Sequence, residues 1–100
     1  MTYAKRVDVN QKEIVKVLRD CGASVVDLSA VGHGVPDLAI GYAGLTVFVE
    51  VKSSEKAKFT EAQLEFMKRW HGGAIVRIND VDGALRLIQL INAETDTDDQ

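Results

Sequence analysis

Apolar positions along the chain change their period several times, and each change marks a new element. In "NQKEIVKVLRDC", from Asn10 to Cys21, Ile14, Leu18 and Cys21 share one stripe that Val15 and Val17 widen. That spacing predicts a helix, with Gly22 as its stop. "ASVVDLS" then reads as a short strand with Val26 and Leu28 on one side and Val25 opposite. After the glycine-rich break "AVGHGVP", the run "DLAIGYAGLTVFVEVK" predicts two strands joined around Gly41 to Gly44. "FTEAQLEFMKRW" has a strong helix start, since Thr60 and Gln63 have capping-box spacing and Phe59 can staple onto Leu64. Leu64, Met67 and Trp70 lie along one side of it, and Gly72 and Gly73 end it. "AIVRI" is a short apolar strand, and Asp80 caps a last helix with Val81, Leu85, Ile88 and Ile91 as its stripe. The order α-β-β-β-α-β-α predicts an α/β fold, a mixed sheet flanked by helices.

One strand breaks the simple pattern. In "TVFVEVK", alternation puts Val47, Val49 and Val51 on one face and Thr46, Phe48, Glu50 and Lys52 on the other. The valine face suits packing under helices. The other face turns charged towards its end, where Glu50 and Lys52 stand about 7 Å apart by strand rise. Antiparallel pairing across the hairpin lays Asp37, at the start of the partner strand, beside them. Two carboxylates meeting without a cation repel, and one is driven towards protonation. A hard divalent ion resolves that conflict, because Mg²⁺ is commonly held by one or two carboxylates with water and phosphate. The Val51 carbonyl is a candidate third oxygen. A neighbouring lysine can orient water or stabilise charge at phosphorus, so the pattern suggests metal-assisted phosphodiester hydrolysis.

Composition constrains this reading only loosely. One hundred residues suit one domain, and 46% hydrophobic with 27% charged residues is ordinary for a globular chain. Cys21 is the single cysteine, which excludes an internal disulfide and argues against a structural zinc site; a reducing compartment is expected. "MTYAKRVDVN" lacks an apolar leader core, and no stretch approaches about 18 apolar residues, so neither secretion nor membrane insertion is expected. The net charge of -3 owes much to "ETDTDDQ", which reads as a disordered acidic tail over residues 94–100. Setting its four acids aside leaves 12 basic against 11 acidic residues on a domain spanning residues 1–93. That near-neutral balance neither supports nor excludes nucleic-acid binding.

Pro36-Asp37 followed by Glu50-Val51-Lys52 resembles the PD-(D/E)xK nuclease signature, and the wider pattern is similar to stand-alone VRR-NUC domains of phages and bacteria. The similarity includes the acid in the first helix, the approach "GHGVPDL", the "EVK" strand, and the "T-x-x-Q" helix ending near Trp70 and Gly72. It runs from around Val9 to around Ile88. The resemblance implies a restriction-endonuclease-like fold and a Mg²⁺- or Mn²⁺-dependent DNA endonuclease selective for branched structures, in the manner of Holliday-junction resolvases. It implies a homodimer acting in the cytoplasm, with a phage origin acting in a bacterial cytoplasm also open. Carried over by position, it makes Asp37 and Glu50 metal ligands, Lys52 the catalytic lysine, Glu13 the acid of the first helix that supports the metal site, and Gln63 the polar residue of the later helix.

Plainer readings stand beside these. Asp37 could cap a turn after Pro36. Glu13 lies three residues after Asn10, where an acid suits a helix start, and Thr60 is sufficient reason for Gln63. His33, between two glycines, reads as a solvated loop residue. Lys56 and Lys58 are either solvated or contacts for a DNA backbone. Phe66, Met67 and Trp70 read as core. The alternative for the whole chain is a non-catalytic DNA-binding or assembly module that retains the nuclease fold.

Overall fold

A computed structural model describes residues 2–53 and 57–96 and, within them, the side chains from Asn10 to Thr95. The elements are α1 (Thr2–Asp20), β1 (Ser24–Asp27), β2 (Leu38–Tyr42), β3 (Leu45–Val51), α2 (Glu61–Arg69), β4 (Ile75–Ile78) and α3 (Val81–Asp96). The sheet order is β1-β2-β3-β4, with the first three strands antiparallel and β4 parallel to β3. This is the mixed α/β sheet that the hydrophobic pattern predicts. No helix among the described residues is long and apolar enough to cross a membrane.

The sheet has two unlike faces. Val25, Leu38, Ile40, Val47, Val49 and Val51 project to one side and are buried under α1 and α3, which supply Ile14, Leu18, Leu87, Ile88 and Ile91. Each such side chain contributes about 1.5–3 kcal/mol through burial. α1 ends in a Schellman motif, where the Gly22 N–H donates to the Arg19 carbonyl and the Ala23 N–H to that of Leu18. Gly22 at φ +98° takes the left-handed position such a stop requires. α2 lies over the other face, where Phe66 and Trp70 pack on Phe48 with ring centroids 6.3 and 4.8 Å away.

Several expectations are corrected. α1 begins at Thr2, so Asn10 is no cap; its Nδ2 instead donates to the Asn79 carbonyl at 3.2 Å. Glu13 therefore completes no capping box. In β1 the sides are reversed. Val25 pairs with Ile40 and is buried, whereas Val26 is 55% exposed. Leu28 follows the strand's end, where the Asp27 carboxylate accepts from the Ser29 N–H and hydroxyl and turns the chain. Leu64 is exposed, and Phe59 turns instead towards Lys52 and Arg77. In α3 the buried stripe is Ala84, Leu87, Ile88 and Ile91, with Leu85 exposed, although Asp80 does cap the helix through the Gly83 N–H at 2.8 Å. That helix continues to Asp96, past the expected start of the tail at Glu94; residues 97–100 lie outside the described residues.

The β2–β3 hairpin closes on two residues, Ala43 and Gly44, both at positive φ (52° and 80°) between the paired Tyr42 and Leu45. That is the backbone of a type I′ turn, for which Asn-Gly is the favoured pair. Ala43 has a Cβ where left-handed backbone is costly. Ala43→Asn should stabilise the fold by about 0.5–1 kcal/mol, raising the melting temperature by a few degrees for a domain of about this size. An unchanged or lower melting temperature would show that the turn imposes no such strain.

Candidate active site

The charged end of β3 sits on the sheet face opposite α1 and α3. Antiparallel pairing of Leu38 with Val49 brings Asp37 beside the end of β3, where its Oδ2 accepts the Val51 N–H at 2.8 Å. Asp37 thus extends the ladder by one side-chain bond and is fixed in doing so. Glu50 is only 4% exposed. Pro36, Phe59, Met67 and Ile75 close around it with no room for a water molecule between them. The Lys52 ammonium stands 4.0 Å from Glu50 Oε2, both side chains being largely buried.

Gln63, from the first turn of α2, ties the group together. Its Nε2 donates to Glu50 Oε2 at 2.5 Å, and its Oε1 accepts from Lys52 Nζ at 2.8 Å. The same Oε1 accepts the Thr60 N–H at 2.8 Å, while Thr60 Oγ1 accepts the Gln63 N–H at 3.1 Å. Capping and site support, alternatives in the sequence, are performed by one amide. The loop before Asp37 locks this helix end in place. Gly32, His33 and Gly34 all have left-handed φ (74°, 58° and 81°), and a Cβ on Gly34 would overlap the Ala62 carbonyl in the first turn of α2. Only glycine allows that approach.

Electrostatics follow from this crowding. Burial is the main cause that pushes the Glu50 carboxyl from its ordinary 4.5 up to about 7, and the like charge of Asp37 adds to it. Lys52 opposes the rise without cancelling it. In the absence of a cation the pair therefore holds a proton near neutrality. Asp27, on β1, behaves oppositely, because hydrogen bonds from the Ser29 hydroxyl and N–H lower its pKa.

The donor set suits a hard divalent cation held partly by substrate and water: two carboxylates in contact, one forced to keep a proton when nothing else bridges them. In a strand a residue's N–H and C=O point to the same side, so the Val51 carbonyl also faces Asp37. No third His, Cys, Asp or Glu joins the two carboxylates among the described residues. Glu13 is exposed on α1, whose buried positions are Gln11, Ile14 and Leu18. At about 100° per residue, Glu13 falls off the face they form. Lys58 and His33 are exposed, and Lys56 lies outside the described residues.

A solved structure described as a VRR_NUC domain superposes on this fold with a TM-score of 0.70 and 29% identity, covering 83% of this chain and 94% of that one. The chain folds as a VRR-NUC domain. No family model and no curated protein sequence matches it. The likeness to a VRR-NUC domain suggests a nuclease-type domain, and within this VRR-NUC fold the polar cluster lies at the paired ends of β2 and β3.

The raised Glu50 pKa has a sign that can be tested. Below about 4.5 the group is protonated whether the chain is folded or not. Between 4.5 and about 7 the folded state keeps a proton that the unfolded chain releases, so stability falls as pH rises. Above 7 the penalty is complete, on the order of 3 kcal/mol. Glu50→Gln cannot ionise, so metal-free wild type should lose about that much relative to the variant between pH 4.5 and 8. Parallel pH–stability curves in denaturant titrations would contradict the assignment.

Proposed function

We propose that this chain is a metal-dependent deoxyribonuclease that hydrolyses phosphodiester bonds at Asp37, Glu50, Lys52 and Gln63. The observation that carries the reading is a buried carboxylate, Glu50, set beside Asp37 and joined to the Lys52 ammonium through one glutamine amide. A structural ion pair gains little from such burial, since desolvation offsets its Coulomb energy. A site whose carboxylates repel until a cation arrives is instead suited to binding one.

Asp37, Glu50 and the Val51 carbonyl would hold Mg²⁺ or Mn²⁺, which when bound supplies Lewis-acid polarisation of a phosphate oxygen and of a water. Lys52 is placed to orient the attacking water and to stabilise negative charge gathering on the phosphorus oxygens. Gln63 acts through Lys52 and Glu50. It holds the ammonium at 2.8 Å and blocks the Glu50 oxygen nearest to it from swinging away.

The resemblance supplies the finer reading, a homodimer that cuts branched DNA, since two-fold symmetry would give two sites for two strands. A non-catalytic module is disfavoured because acid, acid and lysine are all present and tied to one another. Cleavage of labelled four-way junction, flap, single-stranded and duplex DNA tests the reading. Metal-dependent cutting is expected, with Lys52→Ala at least about 100-fold slower and still folded. Equal rates for Lys52→Ala, or cutting that survives a chelator, would overturn it.

A further inference from the structure

We propose that the cleft between α2 and the loop before Asp37 receives an unpaired nucleobase of the DNA strand held at the cluster. The inference rests on the nuclease reading above and adds a base-binding subsite to it. Ala62, Glu65, Phe66, Arg69 and Trp70 form the helix wall of the cleft and His33 the loop wall, around a space of about 360 Å³. Four of these side chains are flat, namely an imidazole, a phenyl ring, a guanidinium and an indole. Flat walls suit a flat occupant.

The indole is fixed in place although it stays at the surface. Trp70 is 38% exposed. Phe48 lies 4.8 Å from its ring centroid, and Phe66 stacks on it at 5.5 Å with 17° between the planes. Its Nε1–H donates to the Gly73 carbonyl at 2.9 Å, and a Cβ on Gly72 would come within 2.6 Å of the ring. Opposite, His33 takes a left-handed φ of 58°, which is uncommon for a residue with a side chain. Non-glycine residues held in that way gather at active sites and ligand clamps.

Charge favours a base over a phosphate here. Arg69 is paired with Glu65 at 3.2 Å, so the two charged residues of the lining compensate one another. What the cleft offers is aromatic faces with polar groups at the rim. Bases of single strands are taken up by such surfaces, because every base has a π-face to stack on an aromatic side chain. Both walls also run into the cluster. Gly34, beside His33, seats on Ala62, and Gln63, which follows Ala62, bonds Lys52 and Glu50. Phe66, three residues on, lies about 4.5 Å further along the helix. At about 3.4 Å per nucleotide in a stacked strand, a base one or two places from the phosphodiester at the cluster spans that distance. Bases paired inside a duplex do not present their faces to a cleft, so the subsite selects strands with unpaired bases.

Trp70 is the single tryptophan of the chain, so its fluorescence reports on the cleft directly. A short oligothymidylate, an abasic strand of the same length and a duplex of that oligothymidylate with oligoadenylate are titrated, with Mg²⁺, into the full chain carrying Lys52→Ala, which leaves the probes whole. The oligothymidylate should quench Trp70 and bind about 10-fold more tightly than the abasic strand, which has the same phosphates. The duplex should leave the fluorescence unchanged. His33→Gly removes one wall but keeps the left-handed turn, so it should weaken oligothymidylate binding about fivefold while the melting temperature stays equal or rises. Binding no tighter than that of the abasic strand, or equal quenching by the duplex, would overturn the proposal and leave the nuclease reading intact. So would undiminished binding by a folded His33→Gly protein. If none of the three probes binds, the proposal falls, and the nuclease reading falls with it only where the wild-type chain also fails to cut DNA.

Discussion

A carboxylate that is almost wholly removed from water, and set against a second carboxylate, is the constraint around which this small fold is arranged. Glu50 cannot be ionised there cheaply, because it is largely withdrawn from water and lies beside the like charge of Asp37. Each neighbour reduces part of that cost. Asp37 is fixed by its own bond to the Val51 N–H, Gln63 donates to Glu50, and Lys52 supplies a cation at 4.0 Å. What remains unmet is a demand for positive charge between the carboxylates. A proton meets it weakly. A divalent cation would meet it better, and on the proposed nuclease reading would supply the phosphate-directed chemistry.

The same constraint places α2. None of its residues is buried, so apolar packing gives it only a light hold on the sheet. Its position is set at one end by Phe66 and Trp70 on Phe48, and at the other by Gln63 and by the seat that Gly34 leaves for the Ala62 carbonyl. Gln63 closes its own helix cap with the oxygen that also accepts from Lys52. Forming the helix end and forming the site are therefore one event. The fold keeps its apolar mass on the face under α1 and α3 and reserves the opposite face for polar geometry.

How much of this was legible depended on the range of the interaction. Period two in "TVFVEVK" is a local signal, and it placed Glu50 and Lys52 away from the valines as found. Gly22, Asp80 and the Thr60–Gln63 box are equally local and were readable. Asp37 required only the hairpin, one step further. Failures came where partners distant in sequence decide. Val25 rather than Val26 is buried because Ile40 sets its side, and Asn10 bonds the Asn79 carbonyl across the molecule instead of capping a helix. Glu13, which the resemblance assigns to the metal site, is exposed on α1. Phe59 has the spacing of a helical staple, yet it faces Lys52 and Arg77, a contact that depends on β4 lying beside β3.

The central claim is that the Asp37–Glu50 pair keeps a proton until a divalent cation replaces it. Isothermal titration of Mn²⁺ into the protein, in buffers of different ionisation enthalpy, counts the protons released on binding. With Glu50 titrating near 7, close to one proton should leave per cation bound at pH 6, and almost none at pH 9. A release that does not change with pH, or binding absent at both, would contradict the claim.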